Sequence, residues 1–227
     1  MFQIALQRIL ANNTEARSQS VIYPAGFDQN VTSGVQNVID IIKYGQKDCP
    51  NQKYFLFGYS QGATVVQKAL NKLDNEALGA VNSVVLVGNP YRIPGRRSNL
   101  DNYGHLDNRT VYGLFAAHSL QSNGSIPTYN ENLDRSGRVI DICLDNDIVC
   151  AIDPKFQRNI LVEARLLTGF ELQGLKPGIP ACPEIHNYDD TELHFGVNIA
   201  LSMYDEVNNP SVPNITHISA RAEDLEA

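Results

Sequence analysis

The pentapeptide Gly58-Tyr59-Ser60-Gln61-Gly62 constrains the fold of this chain more than any other feature. It follows a continuous apolar run, residues 54–57. It precedes a segment, residues 61–73, in which Ala63, Val66, Ala69, Leu70 and Leu73 recur at helical spacing. G-x-S-x-G between a strand and a helix predicts a tight turn that lifts the serine hydroxyl clear of a sheet. Side chains at 58 and 62 are expected to collide with the neighbouring strand or helix, so both glycines read as making room. The helix opening at Gln61 aims its first amides and its dipole toward Ser60. Ser60 is therefore the candidate nucleophile, and the backbone N–H of Gln61 the candidate oxyanion-hole donor.

The flanking pattern repeats the alternation. Residues 1–10 have amphipathic helical spacing, and residues 20–23 read as a short strand ending at Pro24. Val31, Val35, Val38, Ile39 and Ile42 mark a second helix. Residues 83–87 are a further buried-strand pattern, and residues 138–143, with Val139, Ile140 and Ile142, are another, as expected for a sheet covered on both faces. Strands alternating with helices predict an α/β fold, a mostly parallel sheet between two helical layers. Residues 91–137 lack a regular pattern and read as a long loop with a short helix near 112–117. Residues 163–167 and 191–207 carry helical patterns. The expected domain spans 1–207, with insertions at 91–137 and 154–180, and 208–227 form a flexible tail.

A serine nucleophile needs a base and an orienting carboxylate, in the chain order Ser, Asp or Glu, His for an α/β-hydrolase. The strand at 138–143 leads into a segment holding both Asp145 and Asp147, and position alone leaves the two open. Of the five histidines, His105 and His118 precede these acids and His217 lies in the tail, leaving His186 and His194. The four cysteines are an even number, and Cys143 and Cys150 are near enough in sequence to close a tight loop across the acid. Five N-x-[ST] sequons, at Asn12, Asn30, Asn108, Asn123 and Asn214, point with the cysteines to a secreted glycoprotein. The net charge of -7 argues against a nucleic-acid partner, no apolar run is long enough to span a bilayer, and neutral esters suit an acidic enzyme.

Gly58-Tyr-Ser-Gln-Gly-Ala63, Cys49-Pro50, Tyr23-Pro24-Ala25 and Gly88-Asn89-Pro90 together resemble the fungal cutinase family. The resemblance covers roughly residues 2–207 and implies a small three-layer α/β/α sandwich with an exposed serine. It implies that Cys143 and Cys150 form the family's disulfide loop in C-x-x-x-D-x-x-C, which selects Asp147 as the triad acid. It implies His186 as the base, on a loop with Tyr188 just after it, with His194 second. The implied enzyme is a monomeric serine esterase on cutin, other polyesters or acyl esters, working through an acyl-enzyme without metal or cofactor. Acetyl-xylan esterase is the close alternative.

Measured against that family, its first strand and the loop carrying the second oxyanion donor have no counterpart here. Cys49 is thereby left without its usual partner, and Cys182 is the spare cysteine. These departures raise the expectation of an N-terminally truncated chain. They also raise the alternative of a catalytically impaired family member.

Overall fold

A computed structural model describes residues 2–26, 29–101, 103–145, 147–153 and 188 of the 227-residue chain. Among them, a four-stranded parallel sheet runs in the order β1-β2-β4-β3. Its strands are β1 (Tyr54–Tyr59), β2 (Val81–Val87), β3 (Asn99–Leu100) and β4 (Val139–Ile142). Its helices are α1 (Gln3–Asn12), α2 (Thr32–Asp48), α3 (Gln61–Lys72), α4 (Asn75–Ala80), α5 (Leu114–Gln121) and α6 (Glu131–Arg135).

The apolar run in β2 is continuous because the strand is buried on both faces. Val84 and Leu86 join the larger core with Val35, Val38 and Ile42 of α2 and Val66, Ala69 and Leu70 of α3. Val85 and Val87 turn the other way, toward Ile140, Ile142 and Leu144, and are covered in part by Phe2 and Phe57. The rings of Phe2 and Phe57 lie 5.2 Å apart, so the entry to α1 closes the second face. The helix-period pattern of 31–42 is realised as α2, and Ala5 and Ile9 form the buried side of α1.

All strands are parallel, so their C-terminal ends share one edge. Tyr59 pairs with Val87, Val87 with Ile142, and Ile142 with Leu100. Ser60, Gly88 and Cys143 leave the sheet side by side at that edge, the usual place for a site in a parallel sheet.

Two sequence expectations fail. Residues 20–23 form no strand: Ile22 is 76% exposed, and its N–H donates to the Asn37 side chain at 2.9 Å instead of to a neighbouring strand. The short helix expected near 112–117 is present as α5, but the rest of residues 91–137 is no mere loop. It supplies β3, α6 and the buried Arg92, and it is held by side-chain hydrogen bonds that leave no periodic trace in sequence. The patterns at 163–167 and 191–207, and the tail, lie outside the described residues.

Candidate active site

Ser60 stands between the last residue of β1 and the first of α3, at φ 52°, ψ -119°. A non-glycine residue with positive φ stores about 1–3 kcal/mol and persists only where its surroundings enforce it. Here the Ser60 N–H donates to Val87 O at 2.9 Å, and the Ser60 carbonyl accepts from Ala63 and Thr64 N–H at 3.0 and 3.3 Å. The side chain does not cap the helix and is half-buried, so its hydroxyl is not committed to α3.

The two flanking glycines play different parts. A Cβ on Gly58 would lie 2.7 Å from both Ala63 Cα and Gly62 O, so strand and helix pack too closely there for any side chain. A Cβ on Gly62 would meet only Tyr23 Oη at 3.9 Å among the described residues, an ordinary contact. The expected crowding is present at Gly58, and among the described residues nothing crowds Gly62. As the first residue of α3, Gln61 has a backbone N–H with no helical acceptor. Its side-chain Nε2 donates to Gly26 O at 2.8 Å, tying the 24–26 segment to the turn.

Across the edge, Cys143 and Cys150 form a disulfide with α-carbons 5.9 Å apart. The loop it closes carries both candidate acids, in opposite environments. Asp145 is 68% exposed and pairs with Arg109. Asp147 is fully buried. Its Oδ1 accepts from Val149 N–H at 2.8 Å, and its Oδ2 from the Tyr188 hydroxyl at 2.8 Å. The Tyr188 ring also meets Tyr59 edge-on, at 6.0 Å between centroids, one residue before Ser60. Burial pushes the Tyr188 hydroxyl well up from its ordinary pKa, and the Asp147 charge pushes it further, so it stays a donor. The same two causes, burial first, raise Tyr59. Cys143, Asp147 and Cys150 also cluster as metal ligands would, but both sulfurs are spent on each other and neither is a thiolate. His186 and His194 lie outside the described residues, as does Cys182. Cys49 is an exposed free thiol.

The sequence profile of the family described as Cutinase matches residues 2–159. The chain belongs to the cutinase family. A cutinase of Hypocrea jecorina (strain QM6a) is 39% identical over 90 residues, covering 38% of this chain and 36% of that protein. Cutinase CUT1 of Coprinopsis cinerea is 35% identical over 103 residues, covering 42% and 50%. The matched segment thus spans between about a third and a half of these curated relatives. Among solved structures, a cutinase-like protein from Cryptococcus sp. superposes with a TM-score of 0.63 at 26% identity, over 90% of this chain and 84% of that one. The catalytic core domain of acetyl xylan esterase from Trichoderma reesei shares the fold, with a TM-score of 0.50 at 18% identity over 72% and 85%.

Two features of this cutinase-family site escaped the sequence reading. One is the hydroxyl of Tyr188 on the Asp147 carboxylate; the only signal was a tyrosine two residues after His186. The other is the charged network behind the acid loop, built on Arg92, Asp107, Arg109 and Asp141. Three of the four come from the patternless stretch, where nothing in one sequence marks a buried arginine.

Proposed function

We propose that this chain is a serine esterase that hydrolyses carboxylic esters by acyl transfer. The observation that carries the reading is Ser60, held at positive φ on the β1–α3 turn, at the same sheet edge as the buried Asp147. Ser60 Oγ attacks the ester carbonyl carbon while His186 takes its proton. The tetrahedral oxyanion is held by the Gln61 N–H and the α3 dipole. His186 returns the proton to the leaving alcohol, giving an acyl-Ser60. Water, deprotonated by the same imidazole, then releases the acid and restores the hydroxyl. Asp147 orients His186.

Choosing His186 over His194 is supported by Tyr188, whose hydroxyl anchors the chain two residues beyond His186 on Asp147. Choosing Asp147 over Asp145 is supported by burial and by the Arg109 pair that occupies Asp145. Membership of the cutinase family supports cutin, other polyesters or acyl esters as substrates. A secreted, glycosylated monomer is the matching setting. The disulfide supports an oxidising compartment, and the sequon residues Asn12, Asn30, Asn108 and Asn123 are all exposed. The catalytic domain is taken as residues 1–207. The test is p-nitrophenyl ester hydrolysis by the purified protein beside Ser60→Ala. Loss of turnover in a folded variant supports the assignment, and unchanged turnover overturns it.

A further inference from the structure

The loop that carries Asp147 is gripped at both ends by residues 107–114. At its far end, Tyr112 and Ile152 exchange backbone hydrogen bonds of 2.8 and 2.7 Å, and Leu114 N–H donates to Val149 O at 2.9 Å. At its near end, where Cys143 N–H donates to Leu100 O and Leu144 N–H to the Tyr188 hydroxyl, both at 3.3 Å, residues 107–114 contribute one side chain. Arg109 Nη2 donates to the Cys143 carbonyl at 2.8 Å, and Nη1 pairs with Asp145 Oδ1. The guanidinium is itself fixed from behind, because Nε and Nη2 donate to the two oxygens of Asp107 at 2.8 and 2.7 Å. Asp107 also accepts from Arg92 at 2.7 Å. Arg92 is 1% exposed and pairs with Asp141 of β4 at 2.9 Å. A continuous charged chain therefore runs from inside the sheet to the first residues of the acid loop.

Resting on the esterase reading above, we propose that Arg109 is a positioning residue. By holding the Cys143 carbonyl and the Asp145 carboxylate, it keeps Asp147 in place against the imidazole of the catalytic histidine. It touches neither substrate nor reacting atoms. The pair with Asp145 contributes little by itself, since that carboxylate is largely solvated. The weight lies on the Cys143 carbonyl and the bidentate hold on Asp107. One planar fork serves all three partners, which an ammonium cannot do.

Two consequences follow from releasing the near end of the loop. A misplacement of about 1 Å arising away from the chemistry lowers the rate by up to about 10²-fold. A carboxylate close to an imidazole favours its charged form. Moving that carboxylate away lowers the histidine pKa, and the acid limb of the kcat/KM profile shifts toward lower pH. Loss of general stability alone would not move that limb.

The experiment compares wild type, Arg109→Ala, Arg109→Lys and Asp147→Asn on p-nitrophenyl butyrate across roughly pH 4–9, with circular dichroism to establish folding. Arg109→Ala is expected to lower kcat about tenfold or more with KM changed less than about twofold, and to shift the acid limb downward. Arg109→Lys should fall between it and wild type, and carries the test alone if the alanine variant does not fold. Folded variants with wild-type kcat and acid limb overturn the role of Arg109 while Asp147→Asn remains inactive. A lower kcat with an unmoved limb overturns it too. Hydrolysis that survives Asp147→Asn, or a folded wild type without activity, overturns the esterase reading and this inference with it.

Discussion

Replacing Gly58 by alanine places one methyl group where strand β1 and helix α3 touch. Its carbon would sit 2.7 Å from Ala63 Cα and Gly62 O and 2.9 Å from Ala63 N, all backbone atoms. Carbon atoms prefer about 3.5–4.0 Å, so α3 must move away from β1 by roughly 1 Å at this point. Ala63 is fully buried in the main core, which leaves the helix no slack. Overpacking of this kind costs about 1–3 kcal/mol. For a chain of this size that lowers the melting temperature by roughly 2–12 °C, taking about 2–4 °C per kcal/mol. The displaced helix also carries the Gln61 amide, so kcat should fall with stability. Gly62→Ala is the control. Among the described residues its methyl group would have only an ordinary contact with Tyr23 Oη, and alanine is favoured over glycine in a helix by up to about 1 kcal/mol. The assay is thermal unfolding of both variants, with ester hydrolysis alongside. A Gly58→Ala protein that melts with wild type, or a Gly62→Ala protein destabilised as much as Gly58→Ala, would refute the packing argument.

Ser60→Gly should melt a few degrees above Ser60→Ala, because only glycine relieves the φ of 52°; the strain of about 1–3 kcal/mol exceeds the glycine entropy cost of about 0.5–1 kcal/mol. Equal melting temperatures would show that the turn is unstrained. Tyr188→Phe removes a buried hydroxyl that donates to Asp147 and accepts from Leu144 N–H. It should cost about 1.5–3 kcal/mol in urea unfolding, and a neutral result would mean that the hydroxyl finds no net gain there. For Asp107, burial raises the carboxyl, but hydrogen bonds and charge from Arg109 and the charge of Arg92 outweigh it and hold the group at about 2, below its ordinary 3.8. Its contribution is thus complete above about pH 4 and lost as pH falls toward 2. Asp107→Asn should flatten the stability–pH curve in that interval, and an unaltered slope would exclude the group.

What the sequence revealed and what it hid divide along physical lines. β2 and α3 were legible because burial on two faces, or on one helical stripe, prints a period on the residues. The turn at Ser60 was legible because Gly58 answers a steric demand that few other arrangements create. Tyr188, Arg92 and Arg109 were hidden because their roles depend on side-chain contacts between segments far apart in the chain, which follow no period. Residues 20–23 misled for the converse reason. Their apolar, β-branched composition fits a strand, but no neighbour among the described residues pairs with them, and the Asn37 side chain takes the Ile22 amide instead. Choosing between Asp145 and Asp147 needed a family pattern at the level of sequence. In the fold they differ by burial and by an arginine from a distant segment.

The central claim is that Ser60 is the nucleophile of an acyl-transfer enzyme, and covalent labelling tests it most directly. The purified chain is incubated with a serine-directed alkyl phosphonate p-nitrophenyl ester, and the adduct is located by peptide mass spectrometry. The account predicts one phosphonyl group per chain, on the peptide containing Ser60, with p-nitrophenol released in equal amount and ester hydrolysis lost in step. Ser60→Ala should take up none. Labelling at a different residue, or a Ser60→Ala protein that is labelled and still hydrolyses esters, would contradict it.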